Sequence, residues 1–180
     1  MLNKLKILLK HLWLDASDAR HAIPPEMLKR LTQRVAASER RHSGEIRICV
    51  EASLPASYLW RLGAENTLAQ LIRQRALAMF GKLRMWDTEH NNGVLIYLLL
   101  AEHAIEIVAD RGVARHVSPE QWQAMVARMA GAFREGRYED GLTEALEETS
   151  AVLMEHFAEG TSENGAQAGP NELPDTPLLQ

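Results

Sequence analysis

The chain has 180 residues, one cysteine and a formal net charge of −4, from 20 basic and 24 acidic side chains. A chain of this length can bury a core without disulfides or metals, and a single cysteine excludes an internal disulfide. Four of the acids and no basic residue lie in residues 159–180, so the remainder is formally neutral. Nucleic-acid-binding proteins usually carry a basic surplus, so we expect no nucleic-acid partner.

Residues 1–14 are predicted to form a short amphipathic helix, because leucines recur at helical spacing and no acid precedes Asp15. Lys10 interrupts the apolar run and no small-residue cleavage site follows, which argues against a signal peptide. The run is also too short to span a membrane, which takes about 20 apolar residues. The helix either packs on its own domain or lies on an anionic membrane surface or a protein partner. We therefore expect a cytoplasmic protein, at the inner membrane face in the second case.

The predicted domain covers residues 21–158, after the first helix and a polar linker that end at residue 20. Pro24 and Pro25 begin a helix that ends near Gly44. Residues 45–51 alternate between apolar and polar, which predicts a strand with one core face and one more polar face. An irregular segment at residues 54–62 and a long helix at residues 64–83 follow.

The next elements are a hairpin and two helices. Residues 94–100 are an unbroken apolar run, typical of a strand covered on both faces, and a turn at Glu102 leads into a second strand at residues 105–108. Ser118 and Pro119 begin a helix, and residues 141–157 form the last one. Residues 159–180 have the composition of a disordered acidic tail. This order favours an α/β fold, in which a small mixed sheet is sandwiched by helices.

The hairpin predicts a functional site, since antiparallel pairing places the loop before its first strand beside the loop after its second. These loops carry oxygen-bearing side chains, which a hard divalent cation such as Ca²⁺ or Mg²⁺ prefers. The candidate metal ligands are Asp87, Glu89, Asn91, Asn92 and Asp110. The alternative is that the carboxylates are merely solvated and that Asn92 and Gly93 only shape the turn.

Several short motifs, taken in order, resemble the TPM domain family, which includes thylakoid-lumen phosphatase-like proteins and many bacterial proteins. They are segment 43–47, Trp86 before segment 92–95, segment 105–107 followed by Gly112, and segment 133–138 before Gly141. The resemblance spans roughly residues 23–157. It implies an α/β sandwich, divalent-metal binding at the loop end of the sheet and, for some relatives, a weak acid phosphatase activity.

The chain departs from the family pattern at two places that bear on the site. Relatives often have a Val-x-Asp segment where this chain has residues 21–25, so an acid that could join the site is missing. Relatives also often have Gly-x-Gly where this chain has residues 109–112.

Two functions therefore stay open. The expected one is a non-enzymatic accessory or interaction module with an optional divalent cation. The alternative is a metal-assisted acid phosphatase of low activity, with Asp110 as ligand or nucleophile and Arg111 and His116 as phosphate contacts. Arg111 could instead pair with Glu45 or Glu106. The chain has no nucleophile elbow and no nucleotide-binding loop. Its four tryptophans are predicted to be buried.

Overall fold

The computed structural model describes residues 2–63, 65–158 and 172–180, with side chains from residue 4 onward. A four-stranded mixed sheet lies between two layers of helices, so the predicted architecture is confirmed. The helices are α1 (Leu2–Trp13), α2 (Ala16–Ala22), α3 (Pro25–Glu39), α4 (Ala56–Leu59), α5 (Leu68–Lys82), α6 (Arg111–Ala114), α7 (Pro119–Arg134) and α8 (Tyr138–Phe157). The strands are β1 (Ile46–Glu51), β2 (Val94–Leu99), β3 (Ala104–Ala109) and β4 (Leu178–Leu179). None of the helices described combines the length and apolar character needed to cross a membrane.

The strands are ordered β3-β2-β1-β4 across the sheet. β1 runs parallel to β2, with Ile46 opposite Val94, and β2 runs antiparallel to β3, with Val94 opposite Ala109. A 3-10 turn at Leu100–Glu102 joins the hairpin strands, and His103 completes it in the left-handed region at a φ of 48°. β3 is consequently an edge strand, with α5 and α7 on its two sides.

Each face of the sheet carries its own core. Ile48, Ile96 and Ile107 belong to the core beneath α2, α3, α7 and α8. Cys49, Tyr97 and Val108 belong to the opposite core, beneath α1, α4 and α5. Every residue of β2 is buried, as predicted for a strand covered on both faces. The second face of β1 is the more polar one, as predicted, but it is also covered, because Cys49 and Glu51 are buried.

Glu51 can be buried because two partners hold its carboxylate. Arg75 of α5 contacts both carboxylate oxygens, with its Nη2 2.6 Å from Oε1 and its Nε 2.9 Å from Oε2. The Tyr97 hydroxyl donates to Oε2 at 2.6 Å. Burial, reinforced by the charge of Glu51, raises the pKa of Tyr97, so the phenol stays protonated and remains a donor. The network links β1, β2 and α5 through one buried charge.

Side-chain caps place several helix ends away from their predicted positions. The segment predicted to be a polar linker contains α2, because the Asp15 side chain caps its first turn and Asp18 bonds back to the Asp15 amide. Thr67 caps α5, which therefore begins later than residue 64. Ser118 caps α7 as predicted. The last helix begins at Tyr138, ahead of Gly141, and segment 54–62 contains the short α4.

The chain returns to the sheet after α8. β4 pairs with the free edge of β1 in parallel, with Leu178 opposite Cys49. The Glu45 carboxylate accepts hydrogen bonds from the amides of Glu172 and Leu173, both at 3.2 Å. The predicted disorder of the tail is therefore wrong for residues 172–180, and residues 159–171 lie outside the described part of the chain.

Candidate functional site

The two loops of the predicted site lie side by side at the end of the sheet where β2 begins. The Arg111 Nε donates to the Asn91 side-chain oxygen at 2.9 Å, and the Gly112 amide donates to the Asn91 carbonyl at 2.9 Å. The Asp110 amide donates to the Gly93 carbonyl at 2.9 Å, which continues the hairpin ladder by one residue. The predicted proximity of the loops is thus confirmed, and hydrogen bonds join them directly.

Two glycines make this close approach of the loops sterically feasible. A Cβ atom added to Gly112 would lie 2.4 Å from the Asn91 carbonyl oxygen, and one added to Gly93 would lie 2.1 Å from the Met85 carbonyl oxygen. Both distances are far shorter than van der Waals contact with a backbone atom that cannot rotate away. Glycine is therefore required at both positions for packing.

Asn92 is fully buried beneath the loops and joins them to the start of β1. Its amide nitrogen donates to the Ser43 carbonyl at 3.0 Å, and its backbone amide donates to the Thr88 hydroxyl at 3.1 Å. Its side-chain oxygen has no partner within the described residues. Asn92 therefore stabilises the turn and leaves one buried acceptor unused, which is costly unless a further group bonds to it.

Asp110 also has one satisfied and one unsatisfied oxygen. Its Oδ1 accepts from the Arg111 amide at 2.7 Å and so caps α6, a short helix where the sequence predicts a loop. Its Oδ2 is buried and finds no partner in the part of the chain that the structure describes. In the antiparallel register Asp110 lies opposite Gly93, next to Asn92. The two unused oxygens thus belong to neighbouring positions on paired strands.

The other predicted ligands are directed elsewhere. Asp87 is exposed and forms an ion pair with Arg84 at 2.7 Å. Glu89 is exposed, and its backbone amide faces the Glu172 carboxylate at 3.2 Å. Asn91 uses its side-chain oxygen to bind Arg111. The site is therefore smaller than the sequence suggests, because Asp87 and Glu89 contribute no side chain to it.

The predicted phosphate contacts also have structural partners. Arg111 binds Asn91 rather than Glu45 or Glu106. Glu45 accepts the amides of residues 172 and 173, and Glu106 pairs with Arg73. His116 stacks on His156, with ring centroids 4.3 Å apart, and so packs against the end of α8.

Sequence reasoning missed a group of buried and partly buried carboxyls at the same end of the sheet. Glu39 accepts the Ile46 amide at 2.8 Å and lies close to Glu45 and Asp175. Burial, together with these two negative neighbours, raises the pKa of Glu39 to about 9, so the carboxyl is protonated at neutral pH and bonds to Asp175. No local pattern could reveal this group, because the returning tail supplies Asp175.

These residues fit a divalent cation only in part. Among the residues described, nothing bonds to Asp110 Oδ2 or Asn92 Oδ1, and both are oxygens of the type that hard cations bind. No group of three or more His, Cys, Asp or Glu residues in the described ranges is arranged to hold a metal. A cage made wholly of protein ligands is thus not formed, whereas Mg²⁺ commonly keeps several waters and needs one or two protein ligands.

Comparisons with known proteins agree with this architecture. A family model, that of the TPM domain, matches residues 16–152. The NMR structure of the BA42 protein from the psychrophilic bacterium Bizionia argentinensis has 24% sequence identity, a TM-score of 0.68, and coverage of 87% of this chain and 94% of that chain. The solution structure of an N-terminal domain from P. gingivalis has 19% identity, a TM-score of 0.50, and coverage of 75% and 80%. These two similarities show the fold alone. A search of curated proteins found no match.

Proposed function

Because the chain belongs to the TPM domain family, whose fold it shares, we propose that it is a non-enzymatic interaction module that attaches to an anionic membrane surface through α1. The observation that carries this proposal is the outer face of α1. Leu5, Leu9, Leu12 and Trp13 are 56%, 48%, 72% and 85% exposed. Four large apolar side chains on one short helix form a surface that soluble monomers seldom leave in water.

The inner side of α1 is already attached to the domain, which fixes the outer side in place. Ile7 and Leu8 pack on the core beneath α4 and α5. His11 is buried, and its Nδ1 accepts a hydrogen bond from the Leu54 amide at 3.0 Å. Lys4 bonds to the Leu62 carbonyl. The sequence leaves two alternatives for α1, packing on its own domain and binding to another surface. The helix has two apolar sides, of which one packs on the domain and the other is exposed.

Charge favours a lipid surface as the occupant of the outer side. α1 contains three lysines and no acid. Lys4 bonds to the Leu62 carbonyl and Lys10 pairs with Glu102 at 3.6 Å, so Lys6 is the lysine to which we assign the electrostatic attraction. Basic amphipathic helices with leucine and tryptophan bind anionic interfaces through buried apolar area and electrostatic attraction. Trp60, in the same helical layer, is also 81% exposed. The prediction that Trp13, Trp60 and Trp86 are buried is wrong, and tryptophan at an interface is typical of membrane contact.

We expect Leu12→Ser combined with Trp13→Ser to reduce binding to phosphatidylserine-containing vesicles by at least about tenfold, since each buried apolar side chain contributes about 1.5–3 kcal/mol. Co-sedimentation of the full chain measures this. Lys6→Glu should also weaken binding, and added salt should weaken it further.

The matched control is Leu77→Ser, because Leu77 on α5 is as exposed as Leu9, at 48%. This variant should bind like the unchanged protein, and vesicles of phosphatidylcholine alone should bind less of either. Equal losses in the α1 and Leu77 variants, or no loss in either, would contradict attachment through α1.

A second candidate function is favoured by the unsatisfied oxygens of Asp110 and Asn92, which could bind a weakly held divalent cation. MgCl₂ or CaCl₂ should then raise the melting temperature of the protein, because a ligand that binds only the folded state stabilises it. Asp110→Asn should abolish the shift while keeping the cap of α6, since asparagine also caps helices. Asp87→Asn is the control and should retain the shift, because Asp87 pairs with Arg84 outside the site.

The same samples distinguish the module from the alternative acid phosphatase. An interaction module should hydrolyse an aryl phosphate no faster than a heat-inactivated control with any of the added cations. Hydrolysis above that control, lost in Asp110→Asn and kept in Asp87→Asn, would instead support a phosphatase that uses Asp110.

A further inference from the structure

The outer edge of β3 presents backbone hydrogen-bonding groups. The bond from the Asp110 amide to Gly93 fixes which residues of β3 face β2. Because antiparallel pairing alternates, Ile105, Ile107 and Ala109 direct their N–H and C=O groups away from β2. The Arg73 side chain reaches the Ile107 carbonyl at 2.7 Å, as this direction requires. Within the described residues no strand lies beyond this edge.

A cleft of about 580 Å³ lies directly beside this edge, between α5 and α7. Its volume is within the range of about 300–1,000 Å³ that is typical of binding sites. Its lining comes from α5 on one face of the sheet, from α7 on the other face and from β3 between them. The walls are mainly apolar and include Ala69, Ile107, Val117, Trp122, Val126 and Ala127.

The charges in the cleft compensate each other. Arg73 Nη1 lies 3.1 Å from the Glu106 carboxylate, and these are the charged side chains that line the space. A compensated cleft with apolar walls favours an uncharged occupant, because a charged one would be desolvated without a partner. The Arg73 side chain is 43% exposed, so it can turn toward water and release the Ile107 carbonyl.

We propose that this cleft binds an extended, uncharged and largely apolar segment of another polypeptide, which adds to the sheet as a fifth strand beside β3. The backbone of the segment bonds to Ile107 and Ala109, with its own N–H replacing Arg73 at the Ile107 carbonyl. Its side chains alternate between the α5 wall and the α7 wall, as in other cases of strand addition. This site is independent of the membrane contact of α1.

The test uses the full chain and a displayed library of random heptapeptides, followed by synthesis of the strongest binder. NMR titration with that peptide should shift the amide signals of Ile107 and Ala109 and slow their hydrogen exchange. N-methylation of every second residue of the peptide has two phases, since it modifies either the N–H groups that face β3 or those that face away from it. The first phase should weaken binding at least about tenfold, because it removes the hydrogen bonds to β3. The second phase should have little effect.

Two substitutions in α7 locate the binding site. Ala127→Trp fills the cleft and should abolish binding, whereas Ala124→Trp, on an exposed position of α7 outside the cleft lining, should leave it unchanged. Failure of the library to yield a binder would overturn the proposal. So would binding that tolerates both N-methylation phases, binding that survives Ala127→Trp, or shifts confined to other parts of the chain.

Discussion

Replacing Arg75 with methionine is expected to lower the free energy of unfolding by about 3–5 kcal/mol, because the change leaves a buried charge without its partner. The Glu51 carboxylate is only 6% exposed, and Arg75 contacts both of its oxygens. Tyr97 can supply one hydrogen bond but no positive charge. Urea unfolding, followed by circular dichroism, measures the difference.

Two further variants test the cause of that loss. Arg128→Met removes an exposed pair with Glu148, and surface pairs contribute about 0–1 kcal/mol, so little change is expected. Adding Glu51→Gln to Arg75→Met should recover part of the lost stability, because the neutral amide needs no counter-charge. An Arg75→Met variant as stable as Arg128→Met would show that the buried pair does not hold the sheet to α5.

Gly93→Ala is expected to destabilise the protein by at least about 1–3 kcal/mol, the cost of overpacking a site that cannot relax. The added methyl group would lie 2.1 Å from the Met85 carbonyl oxygen, so the loop before β2 would have to move. That loop carries Asn92 and the Asn91 contacts to Arg111 and Gly112. The thermal midpoint should fall, and any stabilisation by divalent cations should fall with it.

The control is Gly131→Ala, which is expected to raise the stability of the protein rather than lower it. Gly131 lies inside α7 with no atom within 4 Å of an added Cβ, and alanine is better than glycine in a helix by about 0.5–1 kcal/mol. Equal changes in the two variants would contradict the close contact between Gly93 and Met85.

The elements that sequence predicts well are those whose signals are local. The cap at Ser118 and the apolar run of β2 each need only neighbouring residues to be recognised, and both predictions are confirmed. The capping box at Asp15 is also local, yet the short α2 contains no large apolar residue, so its hydrophobic pattern predicts a linker. For α2, the capping box is therefore a better predictor of the helix than the spacing of apolar residues.

Non-local contacts account for the remaining differences. β4 pairs with β1, and Leu173 bonds to Glu45, although these residues are far apart in the chain. A tail rich in polar residues gives no local sign of that contact. Likewise, strand pairing correctly predicts that the two loops adjoin. It does not predict the ion pair of Asp87 with Arg84, because that contact depends on the surrounding side chains. The sequence thus predicts that the two loops adjoin, but it does not predict that Asp87 and Glu89 direct their side chains elsewhere.

The position of β4 also constrains how the molecule is made. Leu178 pairs with Cys49, so that edge of β1 stays uncovered until the segment that follows α8 has been synthesised. Until then a strand edge and the Glu45 carboxylate remain open to other contacts, a state in which nascent chains are prone to aggregate. The pairing of β4 therefore follows the synthesis of the other three strands of this sheet, and the β1 edge stays open throughout that interval.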